Sequence, residues 1–166
     1  MLSRTFLWPQ GDTSAAMISV NLDAEFYGRI FYPGIDVSEG DIQRLGWTGM
    51  EYGLPHLLDC FREHGVKGTF FIPGRVAELY PDAVRAIADA GHELGCHGYE
   101  HEILAHFTPE EQLELLKKAK AAIEKAAGRA VTGFRMPEGE ITEQTLVAAK
   151  EAGVAYSRSL SNPDVP

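Results

Sequence analysis

The chain has 166 residues, 45% of them apolar and 23% charged, a balance that suits one soluble domain with a sizeable core. Its formal net charge of −9, with no basic cluster, argues against nucleic acid or an anionic membrane surface as the main partner. No apolar run approaches the roughly 20 residues of a membrane-spanning helix, and "MLSRTFLWPQGDTSAA" lacks the continuous apolar centre of a secretory signal, so the expected compartment is the cytoplasm.

"MISVNL" (17–22) reads as the first strand. The Gly- and aromatic-rich stretch from Phe26 to Gly49, with "FYPG", "SEGD" and "GWTG", reads as a long loop, a feature that is uncommon in compact domains and often functional. "LPHLLDCFREHG" sets Leu54, Leu57, Leu58 and Phe61 at helical spacing, with Gly65 as the stop. "VKGTFFI" is the second strand, closed by Pro73 and Gly74. "VAELYPDAVRAIADAG" is helical around or after Pro81 and ends at Gly91, and "HELGCH" is the third strand. Thr108, Pro109 and Glu111 form a capping-box pattern that opens a helix running to Gly128. "AVTGFRMP" is the fourth strand, Thr142 to Gly153 bounds the last helix, and "VAYSRSL" is the fifth strand. Cys60 and Cys96 both sit in apolar contexts and read as small buried side chains, with no disulfide framework. His56, His64, His92 and His106 read as structural.

Strands alternating with helices imply parallel strands joined by right-handed crossovers, an α/β layer or barrel in a single domain over 1–166. Five such strands make an open sheet with two edges of unpaired N–H and C=O groups; the stretch from Phe26 to Gly49 is a candidate cover for one, and a second copy or the C-terminal part of a longer protein for the other.

In parallel α/β folds chemistry collects at the C-terminal ends of strands. Those ends carry Asn21, Asp23 and Glu25; Pro73, Gly74 and Arg75; His97 and His101; Arg135 and Pro137; and the stretch from Ser157 to Asp164. His97 and His101 can face one point if Gly98 lets the segment turn sharply or if the segment has helical character, and Asp23 is the carboxylate that would complete an open zinc set of two imidazoles and one carboxylate. The competing reading has His101 capping a helix and His97 hydrogen-bonded within the core.

"VNLDAEF", "KGTFFIPG", "AGHELGCHGYEHE" and "GFRMPEG" resemble, in order, the motifs of the polysaccharide deacetylase family, the NodB homology domain. "WPQG" and "YSRSLSNPDVP" resemble the branch with peptidoglycan deacetylase-like and cyclic-amide hydrolase-like members. The resemblance implies a distorted (β/α) barrel-like parallel sheet and a divalent metal, Zn²⁺ first with Co²⁺ or Ni²⁺ as alternatives, held by Asp23, His97 and His101. It also implies hydrolysis of an acetamide or similar C–N bond on a sugar or related small molecule. The family's first motif carries two aspartates, one a base and one a ligand. Here Asn21 stands at the base position and has no useful basicity, so Glu25 becomes the substitute candidate.

Arg135 is then expected to orient the base carboxylate through paired hydrogen bonds, with a surface ion pair as the alternative. Glu102 is a candidate acceptor for a ligand imidazole. Tyr52, Trp47, Tyr99 and Pro137 are candidates for a substrate cleft. Family domains continue through further strands to a late His that often acts as the general acid. The expectation is therefore that this chain carries the first five strands, is truncated at its C-terminus, and is a poor hydrolase in isolation. An allantoinase-like or cyclic-imide hydrolase that needs no metal, and a non-catalytic fragment that keeps the metal rim, remain as alternatives.

Overall fold

The computed structural model describes residues 14–27, 38–139 and 141–159. The leader "WPQG", the "FYPG" tract and the closing "SNPDVP" lie outside the described residues, so the readings placed on them have no structural counterpart here.

Five parallel strands form one sheet in sequence order: β1 (Ser19–Asn21), β2 (Thr69–Ile72), β3 (Glu93–Cys96), β4 (Gly133–Phe134) and β5 (Tyr156–Ser157). Every neighbouring pair is parallel, as alternating strand and helix signals require. The sheet topology is that of the barrel-like α/β class expected from the motif order. β2 is buried along its whole length, with Phe70, Phe71 and Ile72 inaccessible to solvent. Each such side chain contributes on the order of 1.5–3 kcal/mol by leaving water, which makes this strand the anchor of the sheet. Its neighbour β3 meets it through Gly95: a Cβ there would stand 2.5 Å from the Phe71 ring.

The helical layer is α1 (Glu39–Thr48), α2 (Leu54–Glu63), α3 (Gly74–Leu79), α4 (Pro81–Asp89), α5 (Pro109–Ala127) and α6 (Glu143–Glu151). α5 starts as its sequence dictates. Thr108 and Glu111 form a reciprocal capping box, worth about 1 kcal/mol, and Gly128 ends the helix in the left-handed region at φ 70°. Leu116, Ala119, Ile123, Ala126 and Ala127 recur every three or four residues and give α5 its buried face. The run "VAELYPDAVRAIADAG" is two helices, because Tyr80 leaves helical geometry (φ −126°, ψ 54°) and Pro81 opens a new first turn.

Two expectations are overturned. The stretch from Phe26 to Gly49 is not wholly a loop, since Glu39–Thr48 is helix. Ser38 caps it by accepting from the Asp41 N–H, and a single π-helical turn (Gly49–Gly53) carries it on toward α2. Its glycines and its exposed Leu45 and Trp47 hide the helical stripe. Gly46 is required by packing, because a Cβ there would lie 2.4 Å from the Glu25 backbone nitrogen. Cys60 is exposed rather than buried, on the outer face of α2 one turn before His64; Cys96 is buried as expected. His92 is structural: it is buried, its Nδ1 accepts from Gly68 N–H at 3.1 Å, and its ring packs against Phe61 and Phe70.

Candidate metal centre

The ladder register sets up the site before any side chain is considered. Asn21 pairs with Phe71, Ile72 with Cys96, Cys96 with Phe134 and Phe134 with Ser157. The ladder continues one step further through Leu22 N–H to Phe71 O, His97 N–H to Ile72 O and Arg135 N–H to Cys96 O. Asp23, His97 and Arg135 therefore emerge at the same C-terminal rim from three strands distant in sequence.

His101 reaches that rim by a sharp turn. Gly98 has φ +72°, and a Cβ there would meet the Glu102 carboxylate and Pro137, both at 3.1 Å. Gly74 N–H donates to Gly98 O and Arg75 N–H to Tyr99 O, so the turn is tied to the first turn of α3. Glu102 braces it from within by accepting from Tyr99 N–H at 2.8 Å and Glu100 N–H at 2.5 Å. Its carboxylate is thus bound to the backbone of its own loop.

Asp23, His97 and His101 are all buried, and one ligand atom from each lies within 4.8 Å of the others. Asp23 Oδ1 is 3.6 Å from His97 Nε2, and Asp23 Oδ2 is 3.7 Å from His101 Nε2. Ligands about 2.1 Å from a tetrahedral ion stand about 3.4 Å apart, so a small contraction would close these three on a zinc-sized cation. Asp23 Oδ1, His97 Nε2, His101 Nδ1 and Glu138 Oε1 are buried without a hydrogen-bond partner among the described residues. Buried polar atoms are ordinarily satisfied, and the orphaned Asp23 Oδ1 and His97 Nε2, which face each other at 3.6 Å, fit a cation, while His101 Nδ1 and Glu138 Oε1 face one another. The donor set and the orphaned atoms both fit a divalent metal.

The electrostatics agree. Burial pushes the His97 imidazole down to about 4, so it is neutral at ordinary pH and its contact with Asp23 is not an ion pair. Burial also lowers His101. The Asp23 carboxyl is raised to about 7, by burial first and the Glu138 charge second, with Arg135 opposing. Neutral imidazoles are the state a metal needs, and a bound cation would supply the charge that draws the buried Asp23 carboxyl to its ionised form. His97 Nδ1 bonds Arg135 O at 2.7 Å, which makes Nδ1 the protonated nitrogen and leaves Nε2 free toward Asp23.

The other expected site residues are placed as follows. Asn21 accepts from Arg135 Nη1 at 2.9 Å, so the guanidinium holds an amide at the end of β1. Glu25 has a buried Oε2 without a partner among the described residues, and its charge lies beside the phenol of Tyr80. Tyr99 is buried, with its hydroxyl donating to Glu78 and Lys118 over its ring. Pro137 is buried against Gly98. Tyr52 is 56% exposed and meets Trp47 edge to face. A cleft of about 330 Å³ runs beside β1, lined by Asn21, Asp23, Ala24, Tyr27, Gly46 and Met50 among others. Glu138 was missed from sequence. The available signal was its position, directly after Pro137 at the end of the fourth strand.

Among the described residues, the non-glycine positions with positive φ are Ala24 (46°), His101 (63°) and Glu138 (58°). Ala24 adjoins Asp23, and His101 and Glu138 touch. Such strain persists where the surrounding structure over-determines it, and here all of it surrounds one cluster.

A parallel α/β sheet whose rim gathers a buried Asp-His-His group that could hold a metal is the architecture the site presents. The polysaccharide deacetylase pattern matches residues 47–157, and the chain belongs to that family. It is 35% identical over 133 residues to a peptidoglycan deacetylase of Helicobacter pylori, covering 80% of this chain and 45% of the relative. It is 39% identical over 97 residues to a peptidoglycan-N-acetylglucosamine deacetylase of Bacillus cereus, covering 58% of this chain and 35% of the relative. A solved Mycobacterium smegmatis chain assigned to the polysaccharide deacetylases superposes with a TM-score of 0.77 at 32% identity, over 90% of this chain and 52% of that one. A CE4 family pseudoenzyme of Bacillus anthracis superposes at 0.62 with 30% identity, over 66% of this chain and 38% of that one. The chain spans about half the length or less of these relatives. No helix among the described residues is long and apolar enough to cross a membrane.

Proposed function

We propose that the chain carries the metal half of a deacetylase site, which hydrolyses the acetamide of an N-acetylated sugar with a zinc-like ion held by Asp23, His97 and His101. The observation that carries this reading is the convergence of the buried Asp23, His97 and His101 ligand atoms, with His97 Nε2 and Asp23 Oδ1 lacking hydrogen-bond partners among the described residues. When bound, such an ion supplies Lewis acidity, lowering the pKa of water to about 7 and polarising an amide carbonyl.

The chain's own residues do the rest. Arg135 contributes twice: its carbonyl fixes the His97 tautomer, and its guanidinium favours the ionised form of Asp23. Glu25 is the proposed proton acceptor, since its orphaned oxygen follows the ligand Asp23 by two residues while Asn21 has no basicity. Asn21, held by Arg135, is positioned to hydrogen-bond a substrate amide or hydroxyl. The cleft beside β1 is the proposed sugar subsite, with Tyr52 the exposed aromatic on the same helical segment; Tyr99 and Pro137 support the turn behind the ligands.

A second reading is a metal-binding but catalytically silent chain. The Arg135–Asn21 bond favours it, because an amide occupies the place of a base, and a family relative is itself a pseudoenzyme. Acetate release from an N-acetylglucosamine oligomer, with and without zinc, separates the readings, and ring opening of a cyclic imide serves as the competing substrate. Zinc-dependent acetate release supports the first reading. Zinc binding without turnover of either substrate supports the second. Turnover of the imide by the metal-free chain would overturn both.

A further inference from the structure

Glu138 stands beside the His101 ring at the end of β4. It follows Pro137, and its backbone stands at φ 58°, ψ 3°, where the clash of Cβ with the backbone disfavours any residue but glycine. A glycine would sit there without strain, yet the position holds a long carboxylate. Its Oε1 lies 3.6 Å from His101 Nδ1, and both atoms are buried without another partner among the described residues. That separation is about 0.5 Å beyond an ordinary N–H···O bond, a gap that one side-chain torsion closes. The two rings of the cluster are then treated alike. His97 has Nδ1 on the Arg135 carbonyl and Nε2 toward Asp23; His101 has Nδ1 toward Glu138 and Nε2 toward Asp23. Glu102, the carboxylate nearest to His101 in sequence, is already engaged by two backbone N–H groups of its loop.

We propose that Glu138 is the positioning residue for His101: its carboxylate accepts the Nδ1 proton and thereby presents Nε2 to the metal. An imidazole with a fixed proton on one nitrogen is a ligand through the other, and an anionic acceptor makes that other nitrogen more basic. The arrangement also explains why strain is tolerated at two touching residues. His101 at φ 63° and Glu138 at φ 58° each take a left-handed backbone, and together these aim the ring and the carboxylate at each other. The hydrogen bond does not depend on the metal reading; only the role of Nε2 rests on it.

The test is long-range ¹H–¹⁵N correlation of the histidine rings in the ¹⁵N-labelled 166-residue chain, in alkaline buffer where the rings are neutral, with His101 assigned by its loss in His101→Asn. In the metal-free wild type His101 carries its proton on Nδ1. Glu138→Gln keeps that tautomer, since an amide oxygen still accepts. Glu138→Ala and Glu138→Gly lose it, the glycine variant serving as the form whose backbone is relaxed and therefore well folded. Zinc affinity, from chelator competition, falls about 10–100-fold in the alanine and glycine variants, with glutamine closer to wild type. A proton on Nε2 in the metal-free wild type, or an unchanged tautomer in Glu138→Gly, overturns the proposal. Absence of zinc binding by the wild type would sink the metal reading, while the tautomer result would still decide the role of Glu138.

Discussion

Arg135 Nη1 donates to Asn21 Oδ1 at 2.9 Å, joining the ends of β1 and β4 across the site rim. The guanidinium also lies over the Phe71 ring, 4.9 Å from its centroid, so its direction is fixed from below. A carboxylate in place of the amide would accept the same hydrogen bond with charge assistance. Asn21→Asp is therefore expected to fold; with Glu25 as the proton acceptor its acetamide turnover stays near wild type, whereas on the catalytically silent reading it rises by about 10²–10⁴, the usual range for adding a positioned proton acceptor. Initial rates on an N-acetylglucosamine oligomer at saturating zinc check it. A measurable rate that the substitution leaves unchanged, with zinc still bound, supports Glu25 as the acceptor; a large gain from a silent wild type contradicts that role.

The pH dependence of stability isolates Asp23. Its carboxyl is held at about 7, against 3.8 for an ordinary aspartate, by burial first and Glu138 second. A raised carboxyl means that the metal-free folded state keeps a proton which the unfolded chain has released. The associated stability is fully present below 3.8 and is lost as pH rises through about 7. Asp23→Asn never titrates, so the metal-free variant should overtake metal-free wild type across that window and stay ahead above it. Urea melts of both proteins at a series of pH values measure the gap. Curves that run parallel would show that Asp23 has an ordinary carboxyl.

Much of this was legible in the sequence, and the reasons are local. The parallel sheet follows from strand and helix signals that alternate, and α5 from a capping box with its own hydrogen bonds. Asp23 and His97 could be paired because both follow apolar strands, and the rim position of such residues is set by ladder register. Glu138 could not, because its approach to His101 depends on two left-handed backbones at residues other than glycine. Glu102, adjacent to His101, was the sequence-based candidate, but a carboxylate one residue away folds back onto its own turn. The helix Glu39–Thr48 was hidden by glycines that serve close packing and by exposed Leu45 and Trp47. Cys60 showed how an apolar neighbourhood in sequence can face outward, since Leu54 and Phe61 bury the opposite face of α2.

Gly46 links that hidden helix to the site. An added Cβ would lie 2.4 Å from Glu25 N and 2.8 Å from the Ala24 carbonyl carbon, both backbone atoms that cannot rotate away. Gly46→Ala should destabilise the fold by about 1–3 kcal/mol through overpacking. It should also weaken zinc retention, because the displaced turn begins at Asp23. Thermal melts and chelator competition test the two parts. A melt indistinguishable from wild type would show that α1 docks less closely than described.

The central claim is that Asp23, His97 and His101 hold a divalent metal at the strand rim. His97 is buried, with a hydrogen bond to Arg135 O, so His97→Ala is expected to lose about 1–3 kcal/mol of stability along with its ligand nitrogen. His101→Ala removes the second imidazole and serves as an independent check. The most direct measurement is zinc per chain, by elemental analysis after dialysis against excess zinc and then against metal-free buffer, for wild type and both variants, each shown to be folded by circular dichroism. The account predicts close to one zinc per wild-type chain and almost none in either variant. Metal-free wild type, or equal zinc in all of the proteins, would contradict it.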